Sequence, residues 1–269
     1  MNKFILFIKT YKPDFNRTVN LLSSIDAFNK EKIPVYVSVN DNDYDYFKTN
    51  LINNNIHLLK DSDIINCSLT DGWRYQQVIK SNVYRLGVCE NYLSIDADSE
   101  FIRPFYLNEF MYDEKTPYTI MHESKSFLEM AENINIKRIF FIEALEAVRA
   151  EMKTHGKYWD YGPSPYLWNC NVWQHFNENY LIDKNISFEE YLNNLHKLSP
   201  SECVIYGEYL RKTKLFEIVP VENYFKVYHY KEQFDLEKKF FDKEKLSKTY
   251  MGIIIQSNII PTKKRFGWF

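Results

Sequence analysis

Only 7 of the 269 residues are glycine, and none falls in the first strand-to-helix turn, Lys9-Thr-Tyr-Lys-Pro-Asp14. That absence excludes two nucleotide-handling loops at once. The G-x-G-x-x-G dinucleotide fingerprint and the Gly-rich loop of sugar-nucleotide pyrophosphorylases both need backbone without a Cβ against phosphate. Cysteine is equally sparing. Cys67, Cys89, Cys170 and Cys203 are scattered with no CxxC, so neither a zinc knuckle nor a dithiol redox motif is present. They read as reduced thiols of a cytoplasmic protein. Long hydrophobic runs are missing too: the early run Phe4 to Ile8 has five residues, too few for a signal-peptide core, and no later run approaches a membrane span. A formal net charge of −2 gives no drive toward nucleic acid.

Aromatic residues, by contrast, are abundant: 21 Tyr, 20 Phe and 5 Trp make up 17% of the chain. They supply either flat stacking surfaces or core volume. With 45% hydrophobic and 26% charged residues, the composition is that of a soluble globular protein. A chain of this length buries a core without disulfide or metal.

Hydrophobic spacing predicts a buried strand over Phe4–Ile8 and a helix with Val19, Leu22, Ile25 and Phe28 on one face. Further strands are expected over Ile33–Val39, Ile56–Leu59 and Tyr92–Ile95, and helices over Tyr44–Asn50 and Gly72–Tyr84. Strands alternating with helices indicate an α/β fold whose sheet is mainly parallel. The second half reads as helices over Lys137–Lys153, Phe188–Lys197 and Ser201–Lys212, then strands over Phe216–Val219 and Lys226–His229. Leu236–Lys248 reads as helical, and His155–Trp173 as an aromatic loop. No linker divides the chain, so residues 1–269 form one domain.

The stretch Tyr92-Leu-Ser-Ile-Asp-Ala-Asp-Ser-Glu-Phe-Ile-Arg-Pro-Phe105 delivers Asp96 and Asp98 at the end of a strand. In an α/β sheet that end is where ligands bind. Two carboxylates at i and i+2 reach one hard divalent cation, Mg²⁺ or Mn²⁺, which keeps phosphate oxygens in its shell. Two reactions use such a pair: sugar transfer from a nucleotide-diphosphate donor, and phosphoryl transfer by dehalogenase-type phosphatases. The phosphatases carry the pair on their first core strand and need a downstream GDxxxD, which this sequence lacks.

The segment DGWRYQQVIKSNVYRLGVCENYLSIDADSEFIRPF, residues 71–105, resembles the central segment of GT-A-fold glycosyltransferases with a DXD motif. It is especially similar to a bacterial group in which Gly-Trp-x-x-Gln-Gln-x-x-Lys precedes the DXD strand. Weaker echoes lie at 201–208 and 251–257. The resemblance implies a GT-A (Rossmann-like) single domain: residues 1–110 form the nucleotide-sugar and metal half, and 111–269 the acceptor half with a C-terminal extension.

It further implies that Asp96 and Asp98 hold Mn²⁺ or Mg²⁺ on the donor diphosphate, with His229 of Val-Tyr-His-Tyr as third ligand. Lys80 would assist at the diphosphate or donor sugar, and Gln76 and Gln77 would bind sugar hydroxyls. Thr10 and Tyr11 would meet the base, and Asp41 the ribose. Glu202, or alternatively Asp160, would be the base of an inverting reaction. The loop GKYWDYGPSPYLWNCNVW is the expected acceptor platform. The C-terminal Lys263-Lys-Arg-Phe-Gly-Trp-Phe269 is of a kind that contacts an anionic membrane surface from the cytoplasmic side. The expected activity is metal-dependent sugar transfer from a nucleotide-sugar donor, with a UDP-sugar favoured. The acceptor would be a glycan or lipid-linked glycan of bacterial surface polysaccharide synthesis. A DxD phosphatase and a non-catalytic carbohydrate-binding module are the alternatives.

Overall fold

The structure is a computed structural model, and the residues it describes are 1–52, 55–133, 140–195 and 201–256. The first half runs β1 (Asn2–Thr10), α1 (Phe15–Phe28), β2 (Val35–Val39), α2 (Tyr44–Asn50), β3 (Ile56–Lys60), α3 (Gly72–Ser81), β4 (Cys89–Asp96) and β5 (Ser99–Phe101). There follow β6 (Thr119–Ile120), α4 (Lys125–Asn133), α5 (Phe140–Met152), β7 (Tyr166–Asn169), α6 (Cys170–His175), α7 (Leu181–Asp183), α8 (Phe188–Asn194) and α9 (Glu202–Thr213). The chain ends with β8 (Pro220–Val221), β9 (Phe225–Tyr228), α10 (Lys231–Glu237), α11 (Lys243–Ser247) and β10 (Gly252–Ile255).

The main sheet has the order β3-β2-β1-β4-β7. The first four strands are parallel, while β7 runs antiparallel against β4. Side-chain alternation splits the core along this sheet. From β1, Ile5 and Phe7 enter one cluster with Val78 and Ile79 of α3, Leu145 and Val148 of α5, and Ile205 of α9. Phe4, Leu6 and Ile8 enter the other, with Leu21, Leu22 and Ile25 of α1 and Phe47 of α2. Both faces are thus covered, as a parallel sheet requires. This is the expected α/β architecture of GT-A type, with a mainly parallel sheet between helices.

A second sheet, β5-β10-β9, is separated from the end of β4 by two residues, and a short pair joins β6 to β8. Here the structure departs from the sequence reading. The expected strand over 216–219 is irregular, and pairing begins only at Pro220, against Thr119. The aromatic loop contains β7 and α6. The helix expected over 236–248 is broken at 241–242, between a 3₁₀ turn and α11. Among the described residues no helix is long and apolar enough to cross a membrane.

Candidate functional site

A cavity of about 570 Å³ opens beyond the C-terminal ends of β1, β2 and β4. Asp96 closes β4 beside Lys9 of β1, its register partner. Ser94 and Ile95 remain in the interior, whereas the Asp96 side chain is 31% exposed. Asp96, Ala97 and Asp98 line the cavity together. The backbone N–H of Asp96 donates to Ser164 Oγ at 3.3 Å, which fixes the turn against the loop before β7.

Beneath the turn, Lys80 of α3 sits between two carboxylates. Its Nζ is 2.5 Å from Asp96 Oδ1 and 3.4 Å from Glu202 Oε1 of α9. Lys80 is 2% and Glu202 3% exposed. Burial alone would drive the Lys80 ammonium to lose its proton, but Asp96 and Glu202 outweigh it and hold the pKa above the ordinary lysine value. For Glu202, burial pushes the pKa up and the charge of Asp96 adds to this, against the pull of Lys80. Tyr92 of β4 donates from its hydroxyl to the Lys80 carbonyl at 2.7 Å, pinning the end of α3 to the sheet.

A second buried cation lines the cavity on the strand next to Asp96. Lys9 Nζ donates to Asn40 Oδ1 and to the Thr10 carbonyl, each at 2.7 Å, and pairs with Asp61 at 3.0 Å. Two hydrogen-bond acceptors and one ion-pair partner thus surround its ammonium group. Burial lowers the Lys9 pKa, with Asp61 pulling the other way. The Thr10 hydroxyl lies 2.7 Å from that of Thr18, which itself donates to the Asp14 carbonyl. Thr18 has one proton to give, so Thr10 is the donor of that pair. Two aromatic rings stand on the rim of the cavity, Tyr11 at 45% and Trp73 at 40% exposure.

The sequence profile described as "Family of unknown function (DUF6492)" matches residues 4–259. The chain belongs to this family. No curated protein matches it in sequence. Among solved structures, this DUF6492 chain is similar to mouse xyloside xylosyltransferase 1 in its apo form. The TM-score is 0.52 at 9% identity, over 97% of this chain and 100% of that one. That likeness shows a shared fold. The apo form of glycosyltransferase GlyE from Streptococcus pneumoniae TIGR4 aligns with a TM-score of 0.47 at 10% identity, over 100% of this chain and 57% of that one.

Of the residues singled out from sequence, the DUF6492 structure brings Thr10, Tyr11, Gln76, Asp96 and Asp98 to one cavity. Asp41 faces a neighbouring groove with Ser62 and Glu189, and accepts from the Ser62 N–H at 3.1 Å. Gln77 is fully buried and does not line the cavity, and its amide has no hydrogen-bond partner among the described residues. Lys80 and Glu202 lie under the cavity floor and do not line it. Asp160 is tied to the Ser124 hydroxyl and accepts from the Gly162 N–H at 3.0 Å.

His229 packs edge-on against Phe127, and burial, followed by the charge of Lys226, lowers its pKa to about 4. Among the described residues no three His, Cys, Asp or Glu side chains gather as a metal cluster, so His229 does not join the aspartate pair. Trp168 and Trp173, expected on an acceptor platform, are core residues at 2% and 0% exposure. Tyr158, 50% exposed, remains on the surface of that loop. The tail 263–269 lies outside the described residues.

Lys9 and Asn40 also line the cavity and were given no role from sequence, as do Trp73 of the Gly-Trp-x-x-Gln-Gln segment and Tyr166 of the loop expected as acceptor platform. The signal for Lys9 was a lysine closing an otherwise apolar strand, Phe-Ile-Leu-Phe-Ile-Lys9. As a donor set, Asp96 and Asp98 offer carboxylate oxygens on one turn, which fits a hard divalent cation that completes its shell from ligand and water.

Proposed function

We propose that the chain is a glycosyltransferase that moves a sugar from a nucleotide-sugar donor to a hydroxyl of a glycan or lipid-linked acceptor. A role in extending a bacterial surface polysaccharide is part of the same reading. The observation that carries it is the meeting of Asp96 and Asp98 with the aromatic rim of Tyr11 and Trp73 in one cavity. Its volume of about 570 Å³ lies within the 300–1,000 Å³ range usual for small-molecule sites. A fold shared with a xylosyltransferase is consistent with it.

In this reading the base end is the Tyr11–Asn40 side, where the tyrosine ring stacks and the asparagine amide hydrogen-bonds. Asp96 and Asp98 hold Mn²⁺ or Mg²⁺. When bound, the cation supplies positive charge to the departing diphosphate. Gln76 meets sugar hydroxyls. The loop around Pro163, Ser164 and Tyr166 walls off the reacting end from water.

A thermal-shift series with UDP, GDP, CDP and CMP, each with Mn²⁺ or with EDTA, tests the reading. A rise in Tm with a nucleoside diphosphate, UDP foremost, is expected only with metal and is lost in Asp98→Ala. No rise with any of the four in well-folded protein would overturn it. Sugar binding that survives Asp98→Ala without any nucleotide response would identify a binding module instead.

A further inference from the structure

The three buried or half-buried charges under the aspartate turn do not carry equal access to the cavity. Asp96 reaches it, whereas Lys80 and Glu202 do not line it. Lys80 contacts both Asp96, at 2.5 Å, and Glu202, at 3.4 Å, through one ammonium group. Lys80 and Glu202 are 122 residues apart in the chain, and α9 delivers the glutamate from its first turn.

We propose that Glu202 is a positioning residue: by neutralising Lys80 from below, it leaves Asp96 both held in place and fully charged toward a cation in the cavity. The inference rests on the proposed transferase reading. Its physical basis is charge balance. Lys80 with Asp96 alone is a closed ion pair, and a carboxylate so paired has little attraction left for a second cation. Adding Glu202 returns the trio to a net single negative charge. A buried lysine needs a counter-charge of its own, because uncompensated burial of charge is costly. The role expected from sequence, proton acceptor from the substrate hydroxyl, requires contact with the reacting atoms. A side chain buried beneath Lys80 lacks that contact.

The test is Mn²⁺ binding in the presence of UDP, followed by the electron paramagnetic resonance signal of free Mn²⁺. Four proteins are compared: wild type, Asp98→Ala, Glu202→Gln, and the double variant Lys80→Met/Glu202→Gln. Circular dichroism melts verify folding. Replacing a buried pair by neutral groups of similar size is commonly tolerated, so the double variant keeps the test alive if the single one unfolds. Glu202→Gln is expected to weaken Mn²⁺ binding about tenfold, as removal of one nearby charge predicts. The double variant should return to within about threefold of wild type, because the unbalanced lysine is gone. A purely structural glutamate would not be rescued by a second deletion. Wild-type affinity in Glu202→Gln, or a double variant that binds as weakly as the single one, would overturn the inference while the transferase reading stands. Wild type that takes up no Mn²⁺ with UDP would remove that reading and this inference with it.

Discussion

The Lys9 ammonium lies 3.0 Å from the Asp61 carboxylate, with both side chains almost completely buried. Asp61 also accepts from the Ser38 hydroxyl at 2.5 Å, so strand β2 and the turn after β3 are tied to β1 through one carboxylate. Removing one partner of such a pair leaves a buried charge uncompensated. Asp61→Ala should lower stability by about 3–5 kcal/mol. Lys9→Met/Asp61→Ala should lose clearly less. Urea unfolding of the three proteins measures the difference. A double variant that loses as much as Asp61→Ala, or more, would contradict this.

Trp73 is 40% exposed at the cavity rim, so its ring contributes little to the core. Trp73→Ala should leave the melting temperature nearly unchanged. It should weaken nucleotide-sugar binding by about 1–3 kcal/mol if the ring stacks on ligand. Titration calorimetry with the nucleotide selected by thermal shift reads the effect, and unchanged affinity would remove the ring from the site.

Gly207 in α9 faces the ring of Tyr161, and a methyl group added there would lie 2.1 Å from Cδ1 of that ring. Tyr161 cannot yield easily, being 3% exposed and bound through its hydroxyl to Glu208 at 2.7 Å. Alanine is the better helix former by about 1 kcal/mol. Gly207→Ala should nevertheless destabilise the protein, because overpacking of this kind costs about 1–3 kcal/mol and more where nothing can move. Thermal melts decide the sign.

His229 has a pKa lowered to about 4 in the folded chain, and a free histidine titrates near pH 6.5. Between those values the unfolded chain binds a proton that the native state refuses. Stability therefore rises with pH from about 4 to about 6.5 and is lost as the solution is acidified through that window. The loss attributable to His229 is about 2 kcal/mol once its partial exposure is allowed for. In His229→Phe the melting temperature should fall less between pH 6.5 and 4.5 than in wild type. Parallel curves for the two proteins would contradict this.

The elements that came through from sequence are those whose pattern is local. The alternation of Phe4 to Ile8 between two cores and the helical face of Leu22 and Ile25 need no distant partner to be recognised. The aspartate pair was legible for the same reason, since an apolar strand visibly runs out at Asp96. What stayed hidden depends on partners far along the chain. β7 looked like loop because Pro163 and Pro165 precede it, while its pairing strand β4 lies some 75 residues earlier. Glu202 passed for a substrate-facing acid because nothing in the first turn of α9 reveals that Lys80 waits beneath it. Trp168 and Trp173 looked like a sugar platform by composition alone, yet their rings pack at 5.3 Å from one another inside the core.

Asp96 is the last residue of β4 in the five-stranded sheet, and Asp98 immediately precedes β5 in the three-stranded one. Ala97 is thus the only residue between the two carboxylates and also the seam between two sheets. Any ligand gripped by both aspartates acts as a rivet across that seam. Conversely, a slight tilt of one sheet against the other changes the gap between the carboxylates. The grip of this turn is therefore set by the whole body of the protein on either side of it, down to β10, near the end of the chain.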